Sequence, residues 1–221
     1  MDGTGELFSD FVAALPSWIT PHVVSYPGTA KLSYAELAKM VQAELPDSLF
    51  VLLPESFSSP LAVHLAAASG NNLYGLVICA GFIESPFGAL SSGILYRTAP
   101  VLLRLRPTGF LIRRWMVGGD APPRLVQRVS NAISSAKPEV IAERMRTVVS
   151  CNAGQELQAL SIPILYVAGT EDRLIGDRGL KQFQRVRPET KVAKIRGPHL
   201  ILQARLGEAA FAVAQFMLQV F

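Results

Sequence analysis

Residues 52–68 read LLPESFSSPLAVHLAAA, and how this stretch is read decides the rest of the chain. An apolar run stops at Pro54-Glu55-Ser56-Phe57-Ser58, and a helix pattern of small and apolar residues follows with no loop between. Two readings stand. One is a tight turn that contains serines. The other is a nucleophile elbow, a sharp strand-to-helix corner that lifts a serine hydroxyl above the end of a sheet. The spacing is P-x-S-x-S rather than G-x-S-x-G, so the window alone leaves both open.

Outward from this corner, five short apolar runs predict buried strands. They are 22–26 (HVVSY), 49–53 (LFVLL), 74–80 (YGLVICA), 163–168 (PILYVA) and 190–195 (TKVAKI). The first and last are less apolar and are expected nearer an edge. Helix patterns lie between them. Ser33-Tyr34-Ala35-Glu36 fits a capping box that opens a helix through about Leu45. Pro60 fits the first turn of a helix after Ser56. Residues 179–186 and 200–220 are helical, the latter strongly apolar on one face. Strands alternating with helices predict an α/β fold with a doubly wound, mostly parallel sheet.

Residues 83–150 break the alternation. They hold three or four helical stretches punctuated by Pro100, Pro107, Pro122, Pro123 and Pro138, and no strand pattern. The expected organisation is therefore a core of 1–82 and 151–221 with a helical insert at 83–150. An insert at a strand's carboxyl end overhangs the crevice where α/β sheets bind ligands. The insert is also where the charge lies. It has ten Lys and Arg against four acids, +6, which leaves −2 for the rest of a chain whose net charge is +4. Its arginines are expected to face solvent for the most part, and they offer a surface for an acidic partner or an anionic substrate. No nucleic-acid motif or interleaved aromatics accompany them, so nucleic acid is not expected.

A chain of 221 residues, half of them apolar, with mean hydropathy +0.31, suits one domain whose sheet is covered on both faces. No charge-free apolar window is long enough to predict a transmembrane helix. The start, MDGTGELFSDF, lacks the basic and apolar regions of a signal peptide. Cys79 and Cys151 are too few and too far apart for a disulfide framework, and a reduced, cytoplasmic location is expected.

A nucleophilic Ser56 needs a base, and the base needs a carboxylate to orient it. The histidines are His22, His64 and His199. His22 opens a predicted strand and His64 lies within the helix after Ser56. His199 follows Gly197-Pro198 just after the last predicted strand, where it is either a solvated loop residue or an imidazole aimed at the crevice. The carboxylate candidate is Asp172, just past the fourth predicted strand, with Glu171 beside it as the alternative and a turn or N-cap role as the plain reading. Ser56, Asp172 and His199 all fall just past strand ends, in the order Ser…Asp…His.

On these residues the chain resembles the α/β-hydrolase superfamily, and within it the small bacterial members with a short helical cap. The matching pieces are DGTGELF, PESFSSP, AGTEDRLI and GPHLILQ. The resemblance implies a triad of Ser56, Asp172 and His199, with the backbone N–H of Phe57 in the oxyanion hole. The elbow departs from the family pattern, with Pro54 and Ser58 where glycines usually stand. Family members also carry an apolar strand ending in His-Gly or Pro-Gly before a segment like Asp2-Gly3-Thr4-Gly5. That strand lies centrally in the sheet, and the residue after its glycine gives the second oxyanion N–H. Met1 stands at that place here. The expectation is a sheet lacking one central strand, with 49–53 left as an apolar edge that invites self-association.

The resemblance implies a serine hydrolase of carboxylic ester or thioester bonds, and the insert, rich in Leu, Phe and Trp115, suits a small-molecule ester with an apolar acyl or alkyl group. No metal or organic cofactor is implied. A second expectation keeps the chemistry and docks an acidic acyl carrier protein on the basic insert. A third, from another class, is a catalytically impaired binding protein that keeps the fold and pocket.

Overall fold

The computed structural model describes residues 1–87 and 107–221 of the chain. Four strands form its sheet among these residues: β1 (Phe50–Leu52), β2 (Leu73–Cys79), β3 (Ile164–Gly169) and β4 (Lys191–Ile195). They lie in the order β1-β2-β3-β4, and every neighbouring pair is parallel. Parallel neighbours need a crossover, and the helices Ser58–Ala68, Gly154–Ala159 and Asp177–Val186 lie in the connections between successive strands.

The inner strands β2 and β3 are largely apolar because helices cover both faces, whereas β4 exposes Lys191 and Lys194. In β2, Leu76 and Ile78 face one way and Val77 and Cys79 the other; in β3, Ile164 and Tyr166 oppose Leu165 and Val167. The first set packs with Val63, Leu157, Leu180 and Phe183 from the three crossover helices. The second packs with Phe11 of the helix Ser9–Ala14 and with Val213 and Phe216 of the helix Leu206–Val220. Each fully buried side chain of this size stabilises the fold by about 1.5–3 kcal/mol.

The expected strand at 22–26 does not form. The segment makes one backbone bond outside regular elements, Tyr26 N–H to Gly3 O at 2.6 Å, and joins no ladder. His22 and Val23 are exposed, and among the described residues no strand lies against them. β1 is accordingly the edge of the described sheet, paired with β2 alone. Elsewhere local signals translate closely. Ser33 caps the helix Tyr34–Gln42, accepting from Glu36 N–H at 3.3 Å while Glu36 Oε2 accepts from Ser33 N–H at 2.8 Å. The C-terminal apolar run breaks at Arg205 (φ −135°, ψ 57°) into the helices Ile201–Ala204 and Leu206–Val220.

Between β2 and β3 the described residues form a short helix Gly109–Ile112, a π-helical turn Arg113–Val117 and the helices Pro123–Ser135 and Pro138–Ser150. Part of the predicted insert, with Arg97, Pro100, Arg104 and Arg106, lies outside the described residues. One arginine of the insert is an exception to the solvent-facing expectation. Arg144 is 2 % exposed. Its guanidinium donates to the carbonyls of Met1, Asp2 (2.8 Å) and Pro27 (3.1 Å) and lies 5.8 Å from the Tyr26 ring centroid. Five fixed donors let one side chain hold three strand-less carbonyls together. Arg144→Met is expected to destabilise the fold by about 3 kcal/mol, because three part-buried carbonyls lose their donor at once. A thermal melt beside the wild type checks this.

Candidate active site

The corner at 54–58 is strained, and the strain has visible supports. Ser56 has φ +52°, in the left-handed region that a residue with a Cβ rarely adopts. Such a residue costs about 1–3 kcal/mol and persists only where its surroundings over-determine it. Here Ser56 N–H donates to Cys79 O at 2.9 Å, and Cys79 N–H donates to Pro54 O at 2.9 Å. Pro54 therefore joins the β2 edge through its carbonyl. Tyr34 Oη donates to Phe57 O at 2.7 Å, and Tyr26 Oη donates to Ser58 Oγ at 3.0 Å. The helix Ser58–Ala68 starts at once, with Phe57 as its N-cap residue in helical geometry. N–H groups at a helix start have no intrahelical acceptor, so the Phe57 N–H sits where an anion is favoured.

Two loops at the ends of β3 and β4 meet this corner. Thr170 N–H donates to Ile195 O at 2.9 Å and Glu171 N–H to Gly197 O at 2.8 Å, which ties one loop to the other. From them His199 and Asp172 turn inward. His199 Nε2 lies 2.8 Å from Ser56 Oγ, and His199 Nδ1 lies 2.9 Å from Asp172 Oδ2. Both side chains are nearly sealed, at 2 % and 3 % exposure. Asp172 Oδ1 accepts from Leu174 N–H at 2.8 Å and Ile175 N–H at 3.0 Å. Burial opposes the charge on Asp172, but the His199 bond and charge and these two N–H groups outweigh it and hold the carboxyl below its ordinary value. An ionised Asp172 accepts a hydrogen bond from the Nδ1–H, and in that tautomer the Nε2 lone pair faces the Ser56 hydroxyl.

The alternatives at these positions point elsewhere. Glu171 is exposed and accepts from Arg196 Nε at 2.9 Å. His64 pairs with Glu156 at 3.0 Å and His22 lies 3.6 Å from Glu44, both away from Ser56's contacts. Met1 packs in the same apolar cluster as Phe57, Phe82 and Ile175, and its carbonyl accepts from Arg144. Burial foremost lowers the pKa of its amino group, with Asp2 pulling the other way. Three contacts carry no sequence signal strong enough to have been read. Leu200 N–H donates to Met116 O at 2.8 Å, so the insert grips the residue after His199. Arg144 is the second. The third joins Glu55 to Gln203.

No cluster of His, Cys, Asp and Glu among the described residues has the arrangement to hold a metal ion, and no helix among them is long and apolar enough to cross a membrane. No protein-family profile matches the sequence, and no curated protein does. Solved structures do match over nearly the whole chain. A hydrolase from Oleispira antarctica superposes with TM-score 0.80 at 13 % identity, covering 99 % of this chain and 88 % of that one. A thermophilic esterase from Thermogutta terrifontis gives TM-score 0.79 at 18 % identity, covering 99 % and 86 %. A bromoperoxidase from Bacillus anthracis gives 0.77 at 14 %, covering 97 % and 88 %. With helices on both faces of a parallel sheet and these likenesses, the chain has the fold of the α/β-hydrolase superfamily.

Proposed function

We propose that the protein is a serine hydrolase that cleaves carboxylic ester or thioester bonds through Ser56, His199 and Asp172. The observation that carries this reading is the chain of contacts from Ser56 Oγ to His199 Nε2 and from His199 Nδ1 to Asp172 Oδ2, at 2.8 and 2.9 Å, on a corner with φ +52°. Ser56 Oγ attacks the carbonyl carbon while His199 Nε2 takes its proton. The Phe57 N–H stabilises the oxyanion. His199 then gives the proton to the leaving alcohol or thiol, and an acyl-Ser56 ester remains. Water attacks that ester with the same imidazole as base and frees the acid. Asp172 stays ionised and stabilises the imidazolium. No step calls for a metal or an organic cofactor.

Hydrolase and esterase among the structural neighbours agree with this class, while the bromoperoxidase shows that the fold alone leaves chemistry open. In this reading the described part of the insert, residues 107–150, acts as a cap, and the insert's apolar residues favour an apolar acyl or alkyl group. A carrier-bound substrate has weaker support, because Arg113, Arg128, Arg144 and Arg146 already bond within the chain. Treating the protein with a fluorophosphonate and mapping the adduct by peptide mass spectrometry tests the class. A single adduct on Ser56 is expected. A folded protein that stays unlabelled would favour the binding-protein reading.

A further inference from the structure

The corner and the histidine loop meet twice. Besides Ser56 and His199, the residue just before Ser56 contacts the residue one helical turn beyond His199: Gln203 Nε2 donates to Glu55 Oε2 at 2.9 Å. Glu55 is itself fixed at the β2 end, bridging to Cys79. Gln203 is 8 % exposed in the short helix Ile201–Ala204. Glu55 as a residue is half-buried, but its Oε1 is sealed from solvent.

Two oxygens in this contact are shut away from water with no hydrogen-bond partner, Glu55 Oε1 and Gln203 Oε1. Both are acceptors when the carboxyl is ionised, so neither can satisfy the other. One proton changes this. A neutral carboxyl and a primary amide match through two bonds, the amide N–H to one carboxyl oxygen and the carboxyl O–H to the amide oxygen. That pairing uses both orphaned atoms and adds no charge to a closed space.

We propose that Glu55 is a positioning residue: as a neutral acid it pairs face to face with the Gln203 amide and holds the turn carrying His199 against the corner carrying Ser56. Burial pushes the Glu55 carboxyl up to about 7, against the pull of the Gln203 bond, His199, the Leu202 N–H and the Met1 amino group. The titratable groups that face it are His199 on the base turn, Cys79 on β2 and the Met1 amino group. Burial, and Glu55 after it, push the Cys79 thiol up, so it stays neutral and leaves the pair undisturbed.

The pH sign follows. The folded carboxyl binds its proton up to about 7, while the unfolded chain releases it near 4.5. Between those values the folded state holds the extra proton, so this group's contribution to stability falls as pH rises and levels off above about 7. Asp172, held below its ordinary value, has the opposite slope: its contribution is present above about 3.8 and is lost as pH falls through its folded value.

The positioning role rests on the reading of Ser56, His199 and Asp172 as catalytic; the Glu55–Gln203 pair does not. Two measurements separate them. In protein labelled with 13C at the glutamate carboxyls, the Glu55 signal is the one missing from Glu55→Gln. Its midpoint is expected near 7, and a midpoint in the ordinary carboxylate range overturns the neutral pair. On p-nitrophenyl acetate, Glu55→Ala is expected to lower kcat by ~10–10² with KM within ~2-fold, the size of a small misplacement of reacting groups. Glu55→Gln, which can pair with Gln203 without titrating, should recover most of the loss and remove a fall in kcat above pH 7. Should Glu55→Ala not fold, Gln203→Met removes the partner from the other side and carries the same expectation. A folded variant with wild-type kcat and pH profile overturns the positioning role. A wild type with no turnover and no fluorophosphonate adduct sinks the hydrolase reading and the positioning role with it, and the NMR midpoint still decides the pair.

Discussion

Replacing Ser56 by alanine is expected to cut kcat on p-nitrophenyl acetate by about 10⁶, the size of loss seen when the nucleophile of a comparable serine triad is removed. In the proposed mechanism the Ser56 hydroxyl oxygen forms the acyl bond, and no neighbouring group replaces it: Ser58 Oγ is engaged with Tyr26, and Ser59 is fully buried. His199→Ala should cost nearly as much, because it removes the proton acceptor 2.8 Å from Ser56 Oγ. The double variant should be no slower than either single one, since the two groups act in one step. Asp172→Asn should cost ~10⁴, through the wrong imidazole tautomer. Steady-state kinetics on the four proteins, with circular dichroism to verify folding, checks the set. A folded Ser56→Ala that keeps more than a few per cent of wild-type kcat would remove Ser56 from the chemistry.

Gly169→Ala is expected to damage stability and rate together. Gly169 ends β3, where the loop before His199 crosses the loop before Asp172. A Cβ there would stand 2.3 Å from Pro198 O and 2.7 Å from Gly197 O. Both are backbone atoms, and neither can rotate away. Ordinary contact requires the loops to part by about 1 Å, and a displacement of that size costs ~10² in rate. It also strains the bonds Glu171 N–H to Gly197 O and Thr170 N–H to Ile195 O. Overpacking of this kind destabilises by about 3 kcal/mol, which lowers Tm by roughly 6–12 °C in a chain of this size. Gly207→Ala is the control. Nothing lies within 4 Å of a Cβ at Gly207, in the helix Leu206–Val220, so a gain of about 0.5–1 kcal/mol is expected.

Four of the five predicted strands form; 74–80 and 163–168 were the most legible, because a strand buried on both faces is apolar almost without interruption, while 190–195 carries a weaker signal broken by the exposed Lys191 and Lys194. The stretch 22–26 carries the same local signal, but a strand needs a neighbour, and no local pattern says whether one lies alongside. The capping box at Ser33 was legible because both of its bonds are made within one turn. At the site, the order of residues and their places past strand ends singled out Ser56, Asp172 and His199, and the structure brings the three side chains together. The choice between Asp172 and Glu171 was not local. It depends on which side chain turns toward the loop from β4, and Arg196 draws Glu171 outward. Glu55 and Gln203 were illegible because their contact joins residues 148 apart in the chain. Arg144 stands among the arginines expected to face solvent, since a helix pattern does not reveal a set of carbonyls arriving from the far end of the sequence.

Arg144 does not act alone. Arg128, from the preceding helix, reaches Asp10, Glu6 O at 2.9 Å and Ser9 Oγ at 2.7 Å, and Lys137 N–H, between the two helices, donates to Gly28 O at 2.9 Å. The helices Pro123–Ser135 and Pro138–Ser150 are thus tethered to residues 1–28 at three separated points. They cannot swing away from the sheet as an independent lid, because any such motion drags the N-terminal segment and breaks its bonds at the same moment. Entry of a bulky substrate by that route becomes a cooperative opening event. Its frequency would be readable as the rate of amide hydrogen exchange at Lys137, whose N–H donates to Gly28 O across the tether and comes free when it parts.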